Sequence, residues 1–258
     1  FVRGASYNWM GLINSDLHLF GIEGPEDARI FLLGADILGR DFLSRCIMAS
    51  QISLTIGLIG VFITFVMACI IGGLSGYYGG VVDTIMQRFM EFVTSVPTLP
   101  MWMALSAAIP VTWNPIQVYF VITVILALRS WTGLSRVVRS KLLQLREEDF
   151  VLAAKVAGTT DWKIIQNHLL PGFSSVLIVH LTLAIPGMIL GETALSFLGL
   201  GLRPPTVSWG VLLQDAQNVG SVAIYTWLMV PAILVVVTVL AFNFVGDGLR
   251  DAADPYHD

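Results

Sequence analysis

ISLTIGLIGVFITFVMACIIGGL, Ile52 to Leu74, is a run of 23 residues without one charge. A bilayer core of about 30 Å takes about 20 helical residues to cross. The run therefore reads as a membrane-spanning helix, and the rest of the chain agrees. Of 258 residues, 55% are hydrophobic and only 12% are charged, with a mean hydropathy of +0.78. A soluble domain carries roughly 25% charged residues. Half that supply cannot cover a water-facing surface, so the chain is an all-α polytopic protein with membrane lipid around it. No basic patch with interleaved aromatics points to nucleic acid. Cys46 and Cys69 form no CxxC and give neither a disulfide nor a metal site.

Four further stretches have spanning length: Thr84–Ile109, Ile116–Val138, Phe173–Leu200 and Val222–Val245. The first of these is the least uniform, with Arg88, Glu91, Pro97 and Pro100 inside it. Turn-like connectors separate the stretches: YYGG at Tyr77–Gly80, PVTWNP at Pro110–Pro115 and GLRPPTVSWG at Gly201–Gly210.

Orientation follows from Lys and Arg, which favour the cytoplasmic side. Of 14, seven fall between Arg129 and Lys163. That places a cytoplasmic loop at 140–171 within a transmembrane domain at 49–246. Residues 1–48 then lie outside and the tail 247–258 inside. An outside segment with no signal peptide needs something to export it. A sixth helix upstream of Phe1 is the expectation.

EEDFVLAAKVAGTTDWKIIQNHLLPG, Glu147 to Gly172, concentrates charge in an otherwise apolar chain. It reads as two short helices. Acidic residues open the first, where the helix dipole favours them. Phe150, Ala153, Ala154 and Ala157 give it a narrow face of small residues. Gly158 ends it, Asp161 and its neighbours cap a second helix, and Pro171 stops that one. On physics alone two readings stand: a loop lying on the bilayer surface, anchored by Trp162 and the lysines, or a docking element for a partner.

The spacing Ala153-Ala154-x3-Gly158, then twelve residues to Pro171, resembles the coupling loop of binding-protein-dependent ABC importer permeases. In that family the loop reads Glu-Ala-Ala-x3-Gly-x9-Ile-x-Leu-Pro. Here Leu152 stands for the Glu and His168 for the Ile, while Leu170–Pro171 fits. LLGADILGRDFLSR (Leu32–Arg45) is similar to the GTDxLGRDxxSR segment of the dipeptide, oligopeptide and nickel branch. GYYGGVVDTIMQR (Gly76–Arg88), GETALSFLGLGLRPPTVSWG (Gly191–Gly210) and FNFVGDGLRDAADPY (Phe242–Tyr256) match that branch too. The resemblance is to its second permease.

It implies a type I ABC importer permease bundle in the bacterial cytoplasmic (inner) membrane. The expected partners are a homologous second permease, two ABC ATPase subunits and an extracytoplasmic solute-binding protein. ATP and Mg would sit on the ATPases, with no cofactor on this chain. The loop residues that would couple to the ATPase are Glu147, Phe150, Leu152, Ala153, Ala154 and Ala157, then Gly158, Asp161, Trp162, Ile165, Leu170 and Pro171. The cargo would be peptides or related solutes, oligosaccharides included.

Glu192, Pro186 and Arg129 lie inside spans. An ionisable group there faces a cavity or a partner, and a proline break can expose carbonyls to a cavity, so they are candidates for the translocation path. For Glu192, structural pairing with a neighbour is the other reading. Asp36, Gly39, Arg40 and Asp41 form an outside motif that would meet a delivered protein or lie on the membrane. No GxxxxGK[ST], HExxH or GxSxG is present. The chain therefore reads as a transport subunit and not an enzyme. The rival from another class is a secondary transporter coupled to ions through Glu192, Arg129 and His180.

Overall fold

The apolar run at Ile52–Leu74 is the middle of a longer helix. In a computed structural model, which describes residues 2–9, 13–18, 31–110 and 112–253, helix α1 spans Phe42–Tyr78. It starts ten residues before the run because Asp41 caps it, accepting from the backbone N–H groups of Leu43 and Ser44. Its 37 residues rise about 55 Å, so both ends project beyond a bilayer core.

Three other helices among the described residues are long and apolar enough to cross a membrane. They are α4 (Pro115–Leu145), α8 (Ser174–Phe197) and α11 (Val230–Ala253). At the start of α4, Asn114 and Gln117 cap each other's backbone, with Pro115 in the first turn. The last span is shifted from the expected Val222–Val245. Pro231 sits in the first turn of α11 instead of interrupting it. Ahead of it come α9 (Trp209–Gln214), α10 (Val219–Ile224) and a 3₁₀ turn at Thr226–Met229.

The remaining stretch, Thr84–Ile109, is not one rod. It forms α2 (Gly80–Ser95) and α3 (Thr98–Ala107), separated by extended backbone at Val96 and Pro97. Pro97 offers no N–H and pushes Val96 out of the helical region. A hairpin of β1 (Val2–Trp9) and β2 (Ile13–His18) precedes the all-α bundle. Weak alternation in that polar segment left it unread in the sequence.

The bundle is organised around α1. A Cβ on Gly72 would lie 2.4 Å from the Ser135 carbonyl oxygen, and one on Gly76 would lie 2.7 Å from the Arg139 carbonyl oxygen. The backbones of α1 and α4 therefore touch over a full turn of helix. Gly57 and Gly60 instead make room for the side chains of Ile189 and Met188 of α8. Two buried clusters result. One includes Phe42, Ile56, Leu126, Ile189 and Trp209. The other, at the opposite end, includes Val138, Leu142, Val151, Ile164 and Leu169. Outward faces stay apolar, as at Phe62 of α1 and Phe244 of α11, which suits lipid or a second membrane subunit.

Gly72→Ala should lower the melting temperature of the detergent-solubilised protein by several degrees, because overpacking of this kind costs about 1–3 kcal/mol. Gly133→Ala, on the same pair of helices with nothing within 4 Å of the added Cβ, should be neutral or slightly stabilising.

Candidate functional site

The charged stretch folds against one end of the bundle. Its first helix, α5, spans Asp149–Val156, and Gly158 follows at φ +77°. Only glycine takes that turn cheaply. The second helical segment begins with α6 (Asp161–Ile164), continues through a π turn at Ile165–Leu169 and ends in α7 (Leu170–Gly172). Pro171 has no N–H to donate, and the Leu170 N–H reaches back five residues to the Ile165 carbonyl. The expected stop at Pro171 is therefore a widened turn leading into α8.

The loop has two unlike sides. Val151, Ile164, Ile165 and Leu169 are buried against Leu134, Val138 and Leu142 of α4 and Ala68 and Tyr77 of α1, with Ala154 packed beside them. On the other side, Phe150 (45% exposed), Leu152 (49%), Val156 (90%) and Trp162 (49%) face outward, with Ala153, Ala157 and Pro171 also exposed. Ala154 thus belongs to the inner face, apart from the alanines it was grouped with. The inner anchor, Val151, was not singled out in the sequence. Glu147 is exposed and pairs with Arg146 at 3.3 Å. Asp161 accepts from the Tyr77 hydroxyl at 2.7 Å.

Next to the loop, Asp83 in the first turn of α2 takes a two-pronged contact from Arg139, at 2.5 Å to each oxygen, and a hydrogen bond from Ser75 at 2.6 Å. The Arg139 guanidinium holds the Asp83 carboxyl down at about 2; burial opposes it, and Ser75 assists. Three helices are joined at this point.

At the other end, Glu192 is fully buried. Ser53 donates to Oε2 at 3.0 Å and Ser196 to Oε1 at 2.7 Å, and Ser208 is a third partner. Each serine in turn accepts a backbone N–H, from Trp209, Leu202 and Val211 respectively. Three hydroxyls relay one carboxyl group to three amides of the segment after α8. Glu192 thereby ties the segment after α8 to α1 and α8 within this chain. Pro186 is likewise buried inside α8. Arg129 is half-buried on α4. It makes no ion pair among the described residues, and its Nε has no hydrogen-bond partner.

The outside motif is a tight knot. The Asp36 carboxylate accepts from the backbone N–H groups of Leu38 and Arg40, each at 2.9 Å, and from Arg40 Nε at 2.7 Å. Arg45 lies 3.4 Å from it. Burial would raise the Asp36 carboxyl, but these hydrogen bonds outweigh burial and leave it below its ordinary value. Gly39 takes φ +76°, and Asp41 is the α1 cap. The knot is tied to the bundle by Trp227, whose Nε1 donates to the Ala35 carbonyl at 2.9 Å. Beside this end a cavity of about 250 Å³ is lined by Ser106, Pro110, Trp113, Arg203 and Pro204, among others. Its walls are the two proline-bearing connectors of the sequence. No group of His, Cys, Asp and Glu able to hold a metal occurs among the described residues.

Residues 66–256 match the family described as binding-protein-dependent transport system inner membrane component. The chain belongs to this family. It is 40% identical over 223 residues to the oligopeptide transport system permease protein OppC of Haemophilus influenzae, covering 86% of this chain and 69% of that one. It is 39% identical over 238 residues to the dipeptide transport system permease protein DppC of Lactococcus lactis, covering 92% and 67%. The glutathione transport system permease protein GsiD of Pectobacterium atrosepticum is 36% identical over 233 residues, covering 90% and 74%. In fold, the chain is similar to an inward-facing structure of the MetNI methionine ABC transporter, with a TM-score of 0.63 at 18% identity, over 82% of this chain and 98% of that one. This permease is a transport subunit of the bacterial inner membrane and works with ATPase and permease partners. Family membership removes the ion-coupled rival.

Glu192→Gln would turn donors toward the serine hydroxyls that now donate to it. Leaving buried donors unpaired costs about 1–3 kcal/mol, and the variant should melt several degrees lower. A pH titration tests Asp83. Its folded pKa lies below the ordinary carboxylate value near 4, so its stabilisation is full above that value and fades as pH falls toward about 2. Asp83→Asn should therefore lower the melting temperature at pH 6 and flatten its decline between pH 5 and 3.

Proposed function

We propose that this chain is the second permease of an ATP-driven importer for peptides or related solutes. It pairs with a homologous permease, docks two ATPase subunits and receives cargo from an extracytoplasmic binding protein. The loop between α4 and α8 is the ATPase dock, and ATP and Mg reside on the ATPases.

One observation carries this reading. The loop is clamped to the bundle by one apolar face and presents a second apolar face, Phe150, Leu152, Val156 and Trp162, to the outside. A loop merely resting on lipid needs no such two-sided build, and a rigid element seated on a partner does. Charge supports the orientation. Arg136, Arg139, Lys141, Arg146, Lys155 and Lys163 gather at the loop end, while Arg40, Arg45 and Arg203 stand at the other, as the preference of cations for the cytoplasmic side requires. The relatives named for oligopeptides, dipeptides and glutathione support a peptide-like cargo. ATP-driven closure of the ATPases would move the loop as a unit and swing the attached helices, opening the path outward.

Val156 is the cleanest test position, because at 90% exposure it has no part in this chain's own packing. Val156→Asp and Leu152→Asp should leave insertion and melting unchanged. Recovery of ATPase subunits with tagged permease from native membranes should fall at least tenfold. Wild-type recovery with both variants would overturn the dock.

A further inference from the structure

Tyr77 is the next-to-last residue of α1 and only 7% exposed. Its hydroxyl donates to Asp161 Oδ1 at 2.7 Å, at the start of α6. Lys155 of α5 places its ammonium 5.0 Å from the centre of the Tyr77 ring. Arg146, at the end of α4, directs Nη1 at the Tyr77 carbonyl oxygen at 3.5 Å. One side chain and its own carbonyl thus meet the end of α4 and both short helices of the loop. Just beyond it, Gly79 and Gly80 take φ +66° and +55° and turn the chain into α2. Two residues before Tyr77, Ser75 binds Asp83 of α2.

We propose that Tyr77 is the positioning residue that makes the loop move α1 and α2, and so transmits ATPase movement into the bundle. The inference rests on the reading of the loop as the ATPase dock. Apart from the exposed Arg146–Glu147 pair, the remaining side-chain contacts between loop and bundle among the described residues are apolar, and apolar contact is non-directional. Such a surface resists separation but allows sliding. The Tyr77–Asp161 hydrogen bond and the Lys155 cation over the ring are directional, and they engage the two loop helices from opposite sides of Gly158. Together they fix the loop's angle relative to the α1 end. The Gly79–Gly80 turn and the Ser75–Asp83–Arg139 contact carry that angle into α2 and α4. Without the hydroxyl, the loop stays packed but its rotation is lost at the seam.

The test uses the complete transporter, with both permeases, ATPases and binding protein, in proteoliposomes. A mixed tripeptide library is the cargo, read by mass spectrometry of the vesicle contents alongside ATP hydrolysis. Tyr77→Phe keeps the ring and its packing. It should retain its ATPase subunits and hydrolyse ATP within twofold of wild type, while peptide imported per ATP falls at least fivefold. Asp161→Ala, at an exposed position, removes the acceptor of that bond and should give the same loss. The double variant should be no worse than either single one, since both break one bond. A wild-type ratio of import to hydrolysis in both single variants would overturn the proposal, as would a double loss equal to the product of the two. These failures differ from failure of the dock itself, which appears in Val156→Asp and Leu152→Asp as retained ATPase.

Discussion

The contact between α1 and α4 at Gly72 and Gly76 is the constraint on which the rest depends. In lipid there is no hydrophobic gain from bringing two helices together, so association relies on close van der Waals contact and buried polar bonds. Two glycines one turn apart allow backbone to meet backbone, and the seam holds there. Because α1 is so much longer than a bilayer is thick, that single seam fixes structures at both ends. Its start meets the Asp36 knot and the Glu192 hub, and its end meets the charged loop.

The two ends use polar groups differently. At the Glu192 end, one carboxyl group and three serines organise backbone amides, and the whole assembly is sealed from solvent. Such a network rigidifies a segment that has no regular ladder of its own. At the loop end, the carboxylates of Asp83 and Asp161 join helices across the seam and stay partly open. A sealed hub suits a fixed frame. Partly open clasps between short helices suit an element that must move as a unit against a partner.

Sequence reading reached the loop because its signals are local. Gly158 and Pro171 act through their own backbone chemistry, and the small-residue spacing is visible within one turn of helix. The same reading stopped at the division of the loop into an inner and an outer face. Val151 and Ala154 turn inward because Tyr77 and Ala68 of α1 share their cluster, and those residues lie far along the chain. The hydrogen-bond partners of Glu192 were out of reach for the same reason. Ser53 and Ser208 are remote in sequence, and nothing near Glu192 announces them.

The sequence by itself determined that the chain is a polytopic membrane protein, where its long helices run and which loop is set apart by charge. Length, apolarity and backbone breakers are properties of contiguous residues, and a bilayer reads them directly. The tertiary structure decided how Thr84–Ile109 divides, which residue stands against which, and which serines and amides surround the Glu192 carboxyl group. Those outcomes depend on where α1 and α4 touch, and that contact brings together residues, such as Gly72 and Ser135, that lie far apart in the chain.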